Sequence, residues 1–561
     1  MRLDEHLERW SRGWRGPALA AFIAFLAGLP GLLAVPPLDR DESRFAQASA
    51  QMLETGDFVV IRFQDEPRFK KPVGIYWMQA AAVSLLSSPE AREIWAYRIP
   101  SLLGAMLAAA ACAWGAGAFF GQRAGLLAGA MLGATILLST EAFIAKTDAV
   151  LCGLTTLSMA AMGRLYLAAR GGPAVGRLTS LLFWLGVAAA TLVKGPVGPL
   201  VVALAALALV ASERKADWLK TLGWGWGLIL FAAVVGPWAW AVTVATDGGF
   251  WRAAVVGDLA PKLAGGQETH GAPPGYHSLL APILFFPATL MLPAGLVLGW
   301  TGRREPGVRF ALCWLIPAWL VFELTPTKLV HYPLPAYGAL AWLAAAAATR
   351  ALGPGARWSG AVLSGLVGTL LAAGAFYLFS QYGDASDVAA AVFAGALLAA
   401  AGLASAYMFV RGRQIAALTA ALGLGIAGHA ALVAGLLPRL DPLMLSQRTE
   451  DAIAAARLLP RQGIAPSPVA VAGYAEPSLV FGLGTGTELG GPEEAADAIA
   501  ERRPAVVEDR EQAAFAAALK ARGVTARQVG KVEGLNYSNG DATTLRIFGP
   551  PPAPAMAGDA E

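Results

Sequence analysis

Residues 39–71 read DRDESRFAQASAQMLETGDFVVIRFQDEPRFKK and follow directly on the first long hydrophobic segment of the chain. Thirteen of these thirty-three residues are Asp, Glu, Lys or Arg, whereas only 15% of the whole sequence is charged. Three carboxylates, on Asp39, Asp41 and Glu42, stand at one end of the stretch, and Lys70 and Lys71 stand at the other. Carboxylates and cations separated in this way at the end of a hydrophobic helix suit a reaction at a lipid phosphate.

The sequence around this stretch predicts a polytopic α-helical membrane protein. Of its 561 residues 56% are hydrophobic, and the mean hydropathy is +0.53. Apolar runs of about 17–25 residues match the hydrocarbon thickness of a bilayer. About thirteen such runs are present, at 17–36, 98–120, 124–140, 148–169, 178–194, 196–211, 222–244, 279–299, 309–324, 329–349, 358–380, 388–410 and 414–437.

The distribution of Lys and Arg predicts the orientation of these spans. Cytoplasmic loops are enriched in positive residues, and the N-terminal segment, interpreted as an amphipathic lead-in to an uncleaved first helix, carries several arginines. Alternate loops are then basic, and loop 381–387 on the other side has no Lys or Arg. We therefore expect the polar loops and everything after about residue 438 outside the cytoplasm. The loops in question are 38–97, 139–149, 193–196, 245–278 and 326–333.

Two domains are expected. Residues 1–437 form the transmembrane domain, from which the loops 38–97 and 245–278 project. Residues 438–561 change in character: PVAVAGY and PAVVEDR read as strands, and PEEAADAIAERR and EQAAFAAALKARG read as helices with Ala-rich faces. A small α/β domain with a disordered Pro-rich tail follows from this pattern.

The charged stretch contains the first candidate site residues. Apolar positions recur at helical spacing from Glu42 to Leu53, which predicts an amphipathic helix with Asp41 at its start. Asp41 is either a helix cap or a functional carboxylate, and three like charges crowded beside a bilayer favour a function. Lys70 and Lys71 either reach to the membrane interface or bind an anionic ligand.

Four further segments bring polar residues to the same face. Lys146 and Asp148 start a span and form either a local ion pair or part of a site. Lys194 lies deep in apolar sequence, where a lysine usually faces a cavity or a partner. The other candidates are Lys328, His331 and Tyr332 before an apolar run, and Asp258, Lys262 and His270 in a Gly/Pro-rich loop whose length suggests a mobile gating element.

Several motifs occur in the order found in a known family. DRDESRFAQASAQMLETGDF resembles the DExRYAExAxEMLxTGDW signature of the aminoarabinose (lipid A) transferases, GT-C membrane glycosyltransferases related to protein mannosyltransferases. RFKKPVGIYW, KTDAVL, LVKGPVG and PTKLVHYPLPAYGAL resemble further blocks over roughly residues 17–350. The resemblance implies a catalytic carboxylate at Asp41, phosphate binding by Arg44 and Lys71, and a sugar near Asp148. Lys70 stands where the family has Glu, which favours an acidic sugar over aminoarabinose.

These expectations combine into a function. The chain is predicted to be an inverting glycosyltransferase of the bacterial inner membrane, with its site and C-terminal domain on the periplasmic face. It would move a sugar from a polyprenyl-phosphate donor to lipid A or another envelope acceptor. Asp41, Glu42 and Asp148 are the candidate catalytic residues; they could hold a divalent cation, or the neighbouring cations could make a metal unnecessary. A transporter or flippase of anionic lipid-linked substrates is the alternative, and neither nucleotide nor nucleic acid is an expected partner.

Overall fold

The computed structural model describes residues 2–38, 40–261, 271–460 and 468–550. Within these ranges nine helices are long and apolar enough to cross a membrane, which confirms the expected polytopic helical architecture. Much of their apolar surface is exposed, as on Ile229 and Trp240, which is normal for helices surrounded by lipid. The nine are Arg15–Ala34, Ile94–Phe120, Asp148–Ala168, Arg177–Lys194, Trp224–Ala245, Pro306–Leu324, Pro354–Tyr382, Val388–Val410 and Gln414–Arg439.

Four of the thirteen predicted spans have a different form, so that number stays a prediction. The run 124–140 is divided into Gln122–Ala134 and Ile136–Glu141, because the Thr135 hydroxyl accepts the Leu138 N–H and starts a new helix. The run 279–299 is a pair of helical segments, Tyr276–Leu284 and Ala288–Thr301, bent by 116°. The remaining two are the shorter helices Val197–Glu213 and Leu334–Ala348.

Glycines set the closest helix crossing in the part of the fold that holds the candidate residues. A Cβ atom on Gly153 would lie 2.4 Å from the carbonyl oxygen of Gly104, and one on Gly104 would lie 2.6 Å from the Cα of Val150. Small residues allow membrane helices to approach this closely. Since Asp148 is the first residue of its helix, this crossing fixes where its carboxylate emerges.

The predicted amphipathic helix is confirmed and spans Arg40–Thr55. Its apolar face, including Phe45, Ala48 and Met52, is buried. A two-stranded hairpin, β1 (Arg62–Phe63) with β2 (Glu66–Pro67), follows it. The next apolar helix, Gly74–Leu86, lies against the helix Arg177–Lys194.

The C-terminal part contains a five-stranded sheet in the order β4-β3-β5-β7-β6. The strands β3, β4 and β5 are parallel, and β7 pairs antiparallel with both β5 and β6. The two predicted strands and two predicted helices are confirmed, whereas β4, β6 and β7 were not predicted. The strands are β3 (Ala470–Ala472), β4 (Glu488–Gly490), β5 (Ala505–Glu508), β6 (Arg527–Leu535) and β7 (Ala542–Gly549), and the helices are Leu445–Ala455, Pro477–Leu483, Pro492–Ala500 and Gln512–Ala521.

This sheet unit contacts the amphipathic helix Arg40–Thr55. The Gln47 side-chain amide donates to the Thr485 hydroxyl over 2.6 Å, and Phe481 packs edge-on against Tyr97 at 5.3 Å between ring centroids. An ion pair of 3.2 Å joins Arg40 to Glu476. The helix that carries Asp41 is therefore held from the membrane domain on one side and from the C-terminal unit on the other. The predicted disordered tail lies largely outside the described residues.

The remaining described helical segments are short or peripheral. They are the N-terminal helix Arg2–Ser11, the turns Asp217–Leu222, Gly249–Trp251 and Asp441–Leu443, a wide π-type turn at Arg252–Leu259, and the turns Leu334–Ala336 and Asp509–Glu511.

Candidate active site

Asp41 lies in the first turn of its helix beside two arginines. Its carboxylate is 3.3 Å from Arg44 Nη1 and 3.6 Å from Arg68 Nη2. Arg68 is largely buried and its guanidinium lies 5.2 Å above the Phe45 ring, so it is fixed in place. Burial raises the pKa of Asp41, but the charges of Arg68, Arg44 and Lys146 outweigh burial and lower it below its ordinary value. Asp41 is therefore ionised at neutral pH.

Glu42 is in a different environment from its neighbour. It is 1% exposed and accepts two hydrogen bonds from the Arg98 guanidinium, at 2.7 and 2.9 Å. It also accepts the Ala145 N–H at 2.7 Å, and Arg98 donates to the Val35 carbonyl. Glu42 thus ties the Asp41 helix to the segment that follows Glu141. Its predicted catalytic role stays a prediction, and these contacts are those of a positioning residue.

A second cluster forms around Asp148. Lys194 Nζ lies 2.5 Å from Asp148 Oδ1, and His331 Nε2 lies 3.7 Å from the same oxygen. Lys194 ends its helix because Gly195, at φ +59°, reverses the chain there. The Lys194 ammonium also lies 5.6 Å above the ring of Tyr332. Four predicted residues from three separate segments therefore meet at one point.

Lys146 connects the two clusters. Its Nζ is 3.9 Å from Glu141 Oε1, and the same Glu141 oxygen is 3.4 Å from His331 Nδ1. Its charge also acts on Asp41 and on Asp148. The charge of one buried lysine thus reaches two carboxylates from distant parts of the chain, Asp41 and Asp148.

Lys71 is paired with a residue 187 positions away. Its Nζ donates to Asp258 Oδ2 at 3.1 Å and to the Lys70 carbonyl at 3.0 Å. Asp258 lies in the π-type turn Arg252–Leu259, a form of helix that is common at functional sites. Lys70 has an exposed side chain. The candidates Lys262 and His270 lie outside the described residues.

Lys328 is placed differently from its neighbours in the sequence. It is 4% exposed and its Nζ donates to the Thr325 carbonyl at 2.7 Å. This contact stabilises the turn before His331. It gives no support to a direct role in substrate binding, which stays a prediction for Lys328.

Sequence reasoning missed Arg68 and Glu141 as site residues. Arg68 lies beside the two predicted lysines in RFKK, so its position in the charged stretch was an available signal. Glu141 lies five residues before Lys146 in TEAFIAK. Its spacing from Lys146 does not distinguish it from a surface glutamate, and its contact with His331 comes from far along the chain.

The donor atoms present do not fit a divalent cation. One ligand atom each from Glu141, Asp148 and His331 lie within 4.8 Å of one another. However, the ammonium of Lys194 already contacts Asp148 and that of Lys146 already lies near Glu141. A metal ion would have to displace both lysines from a buried cluster whose two negative charges they balance.

Comparisons with known proteins find similarity to membrane glycosyltransferases. A family model described as dolichyl-phosphate-mannose-protein mannosyltransferase matches residues 70–240. The chain is 29% identical over 329 residues to an undecaprenyl phosphate-alpha-4-amino-4-deoxy-L-arabinose arabinosyl transferase of Aeromonas salmonicida, covering 57% of this chain and 58% of that protein. A protein of the same name from Aeromonas hydrophila is 29% identical, over 67% of this chain and 70% of its own. The chain thus spans about three fifths of the length of the first relative.

A solved structure shares almost the whole architecture. ArnT from Cupriavidus metallidurans, crystallised with undecaprenyl phosphate, superposes with a TM-score of 0.73 over 94% of this chain and 96% of its own. Sequence identity across the superposition is 19%. At this identity the superposition shows a common fold, including the C-terminal sheet unit.

Proposed function

We propose that this chain, a membrane protein that has the GT-C fold and resembles the aminoarabinose transferases, transfers a sugar from a polyprenyl-phosphate donor to lipid A or another envelope acceptor. One observation carries the proposal: Asp41 lies beside Arg44 and Arg68, Asp148 lies beside Lys194 and His331, and the charge of the buried Lys146 acts on both carboxylates. In this proposal the site lies on the periplasmic face of the inner membrane and the N-terminus is cytoplasmic.

The main chemical requirement of such a reaction is stabilisation of the leaving phosphate, and the cations of the site supply it. When the bond between sugar and phosphate breaks, negative charge grows on the departing polyprenyl phosphate, and fixed positive groups lower the energy of that state. Arg44 and Arg68 offer planar guanidinium groups suited to two-point phosphate contact, and Lys71 offers a point charge. The lipid tail of the donor stays in the bilayer, so only its phosphate and sugar have to enter the site.

Asp41 acts on the acceptor. As a carboxylate it accepts the proton of an attacking hydroxyl, or orients an acceptor phosphate that carries no proton to remove. The arginines that lower the pKa of Asp41 also make it a weak base before substrate binds. A donor phosphate bound beside Arg44 and Arg68 offsets part of their positive charge and so raises the basicity of Asp41 at the moment when a base is needed. A single displacement of this kind inverts the configuration at the sugar carbon.

The Asp148 cluster is placed to hold the sugar. Asp148 and His331 offer acceptors and a donor, and Lys194 lies against the buried Asp148 carboxylate. Lys70 adds an exposed cation where the resembling family carries Glu. We therefore propose an acidic sugar, such as a uronic acid, over aminoarabinose. If the purified protein transfers aminoarabinose and ignores uronic acid donors, this choice of sugar is wrong.

The reaction itself is tested by supplying membranes with a labelled polyprenyl-phosphate sugar. We expect label in an envelope lipid together with free polyprenyl phosphate, and neither product from the Asp41→Asn variant. The matched control is Asp65→Asn, which removes an exposed carboxylate from the same loop and keeps full transfer. Movement of intact donor across the membrane without release of polyprenyl phosphate would instead identify a flippase.

A further inference from the structure

A second cavity lies at the end of the membrane domain away from Asp148. Its volume is about 700 Å³, within the usual range of ligand sites. Arg164 lines it and lies on the same helix as Asp148, sixteen residues farther on. At 1.5 Å per residue the two are about 24 Å apart along the helix axis. The cavity is therefore separate from the candidate active site.

The walls of this cavity are mostly apolar, with Ser11 and Gln122 as polar residues and Arg164 as the one charge among the described residues. Among the described residues that line it, Arg164 is the one charged side chain, and no carboxylate is present. Trp14 stands at the edge with 78% of its surface exposed. Ala110 and Trp114 are among the other lining residues, most of which are small or apolar.

Arg164 is held in this cavity without a counter-ion from the described part of the chain. Its Nη1 donates to the Trp114 carbonyl at 3.0 Å, and its guanidinium carbon lies 4.7 Å above the Trp114 ring. Both contacts orient the side chain, and neither neutralises it. A half-buried guanidinium at membrane level is costly unless an anion approaches it.

We propose that this cavity binds an anionic glycerophospholipid. The lipid phosphate lies at Arg164, and the part of the acyl chains nearest the headgroup lies along the apolar wall. A single cation among apolar side chains matches a phosphate attached to hydrocarbon, and basic pockets between helices on the cytoplasmic side bind anionic lipid headgroups. Exposed Trp14 at the edge of the cavity is typical of the bilayer interface. The proposal assigns a lipid site that the transfer reaction does not use.

Native mass spectrometry of the full chain, released from nanodiscs of equal phosphatidylglycerol and phosphatidylcholine, tests the proposal. We expect wild type to retain phosphatidylglycerol selectively and Arg164→Ala to retain about tenfold less, the loss of one charge-assisted contact. Arg303→Ala is the matched control. Arg303 repeats the same geometry, 4.6 Å above the Trp300 ring and bonded to the Trp300 carbonyl, but both residues are exposed.

A second variant separates the cavity from the charge. Ala110→Phe fills the apolar wall while Arg164 remains, and it too should lose the retained lipid. Retention equal to wild type in either Arg164→Ala or Ala110→Phe would overturn the proposal. So would displacement of phosphatidylglycerol by an equal amount of undecaprenyl phosphate, because the cavity would then belong to the donor. Since retention is read by mass, failure of the proposed glycosyl transfer does not affect this test.

Discussion

Neutralising either of two adjacent carboxylates, Asp41 or Glu42, should impair the protein in different ways. One variant should lose activity, and the other should lose stability. Asp41→Asn removes the proposed acceptor-side carboxylate, and Glu42→Gln removes half of a buried ion pair. Both changes replace one oxygen by an amide nitrogen and conserve side-chain volume. They therefore differ in the environment that the structure gives to each position.

The cost of Glu42→Gln follows from its contacts. Both oxygens accept from Arg98, at 2.7 and 2.9 Å, and the pair is 1–2% exposed. A glutamine retains one oxygen for Arg98 or for the Ala145 N–H, but it leaves the guanidinium charge without a partner in the interior. Breaking a buried pair from one side costs about 3–5 kcal/mol of folding free energy. The variant should therefore melt clearly below wild type.

The cost of Asp41→Asn should be much smaller in stability and much larger in rate. Asp41 has 52% of its side chain exposed, and exposed ion pairs contribute about 0.2–1 kcal/mol because water screens them. Loss of a positioned base lowers a rate about 10²–10⁴-fold. Asp41→Asn should thus melt close to wild type and transfer almost no sugar.

Two measurements on the same detergent-purified samples distinguish a loss of stability from a loss of activity. Unfolding is followed by the fluorescence of the 17 tryptophans, and turnover by released polyprenyl phosphate per folded molecule. Glu42→Gln/Arg98→Met serves as the control, because removing both charges should recover part of the stability. If Glu42→Gln unfolds at the same temperature as wild type but is inactive, Glu42 contacts the substrate and its assignment as a positioning residue is refuted.

Three further outcomes follow from the charge arrangement. Lys71→Ala should weaken donor binding, whereas Asp258→Asn should tighten it by about fivefold, because a largely buried carboxylate that competes for Lys71 contributes about 1 kcal/mol. Titration of the lipid donor measures the affinity of both variants. Equal changes in affinity would contradict the pairing of Lys71 with Asp258. Because the pKa of Asp41 is lowered, its charge is present above the ordinary aspartate pKa and is lost only as pH falls through the lowered value. The kcat/KM for the donor, which reports ionisations of the unliganded protein, should therefore show no decline caused by Asp41 from pH 7 down to about pH 5, and a one-proton decline within that range would contradict the shift. EDTA should leave transfer unchanged, since lysines already balance the Asp148 cluster; inhibition that only added metal reverses would show otherwise.

The local features of the fold could be predicted from the sequence. Hydropathy alone identifies most membrane helices, and helical spacing of apolar residues identifies the helix Arg40–Thr55. The division at Thr135 was missed because a single hydroxyl cap ends one apolar helix and starts another without changing hydropathy. Strands β6 and β7 were missed because their partly exposed residues do not form a continuous apolar run.

The pairing of the site residues could not be predicted in the same way. Charge placement indicates that Asp41, Lys71, Asp148 and Lys194 reach one membrane face, but not which of them meet. Lys71 and Asp258 are 187 residues apart, and Lys194 meets Asp148 across 46 residues. Such partners are fixed by helix packing over the whole domain, as at the crossing of Gly104 and Gly153.

The pairing also indicates how an unliganded site of this kind stays stable. Asp41 holds Arg44 and Arg68, Asp258 holds Lys71, and no large excess of one charge builds up beside the bilayer. A donor phosphate then exchanges one anionic partner of these cations for another, so little new desolvation is required when it enters. The exchange leaves the Asp41 carboxylate with less positive charge around it and therefore more basic. Binding of the donor and activation of the acceptor are in this way coupled through the same two arginines.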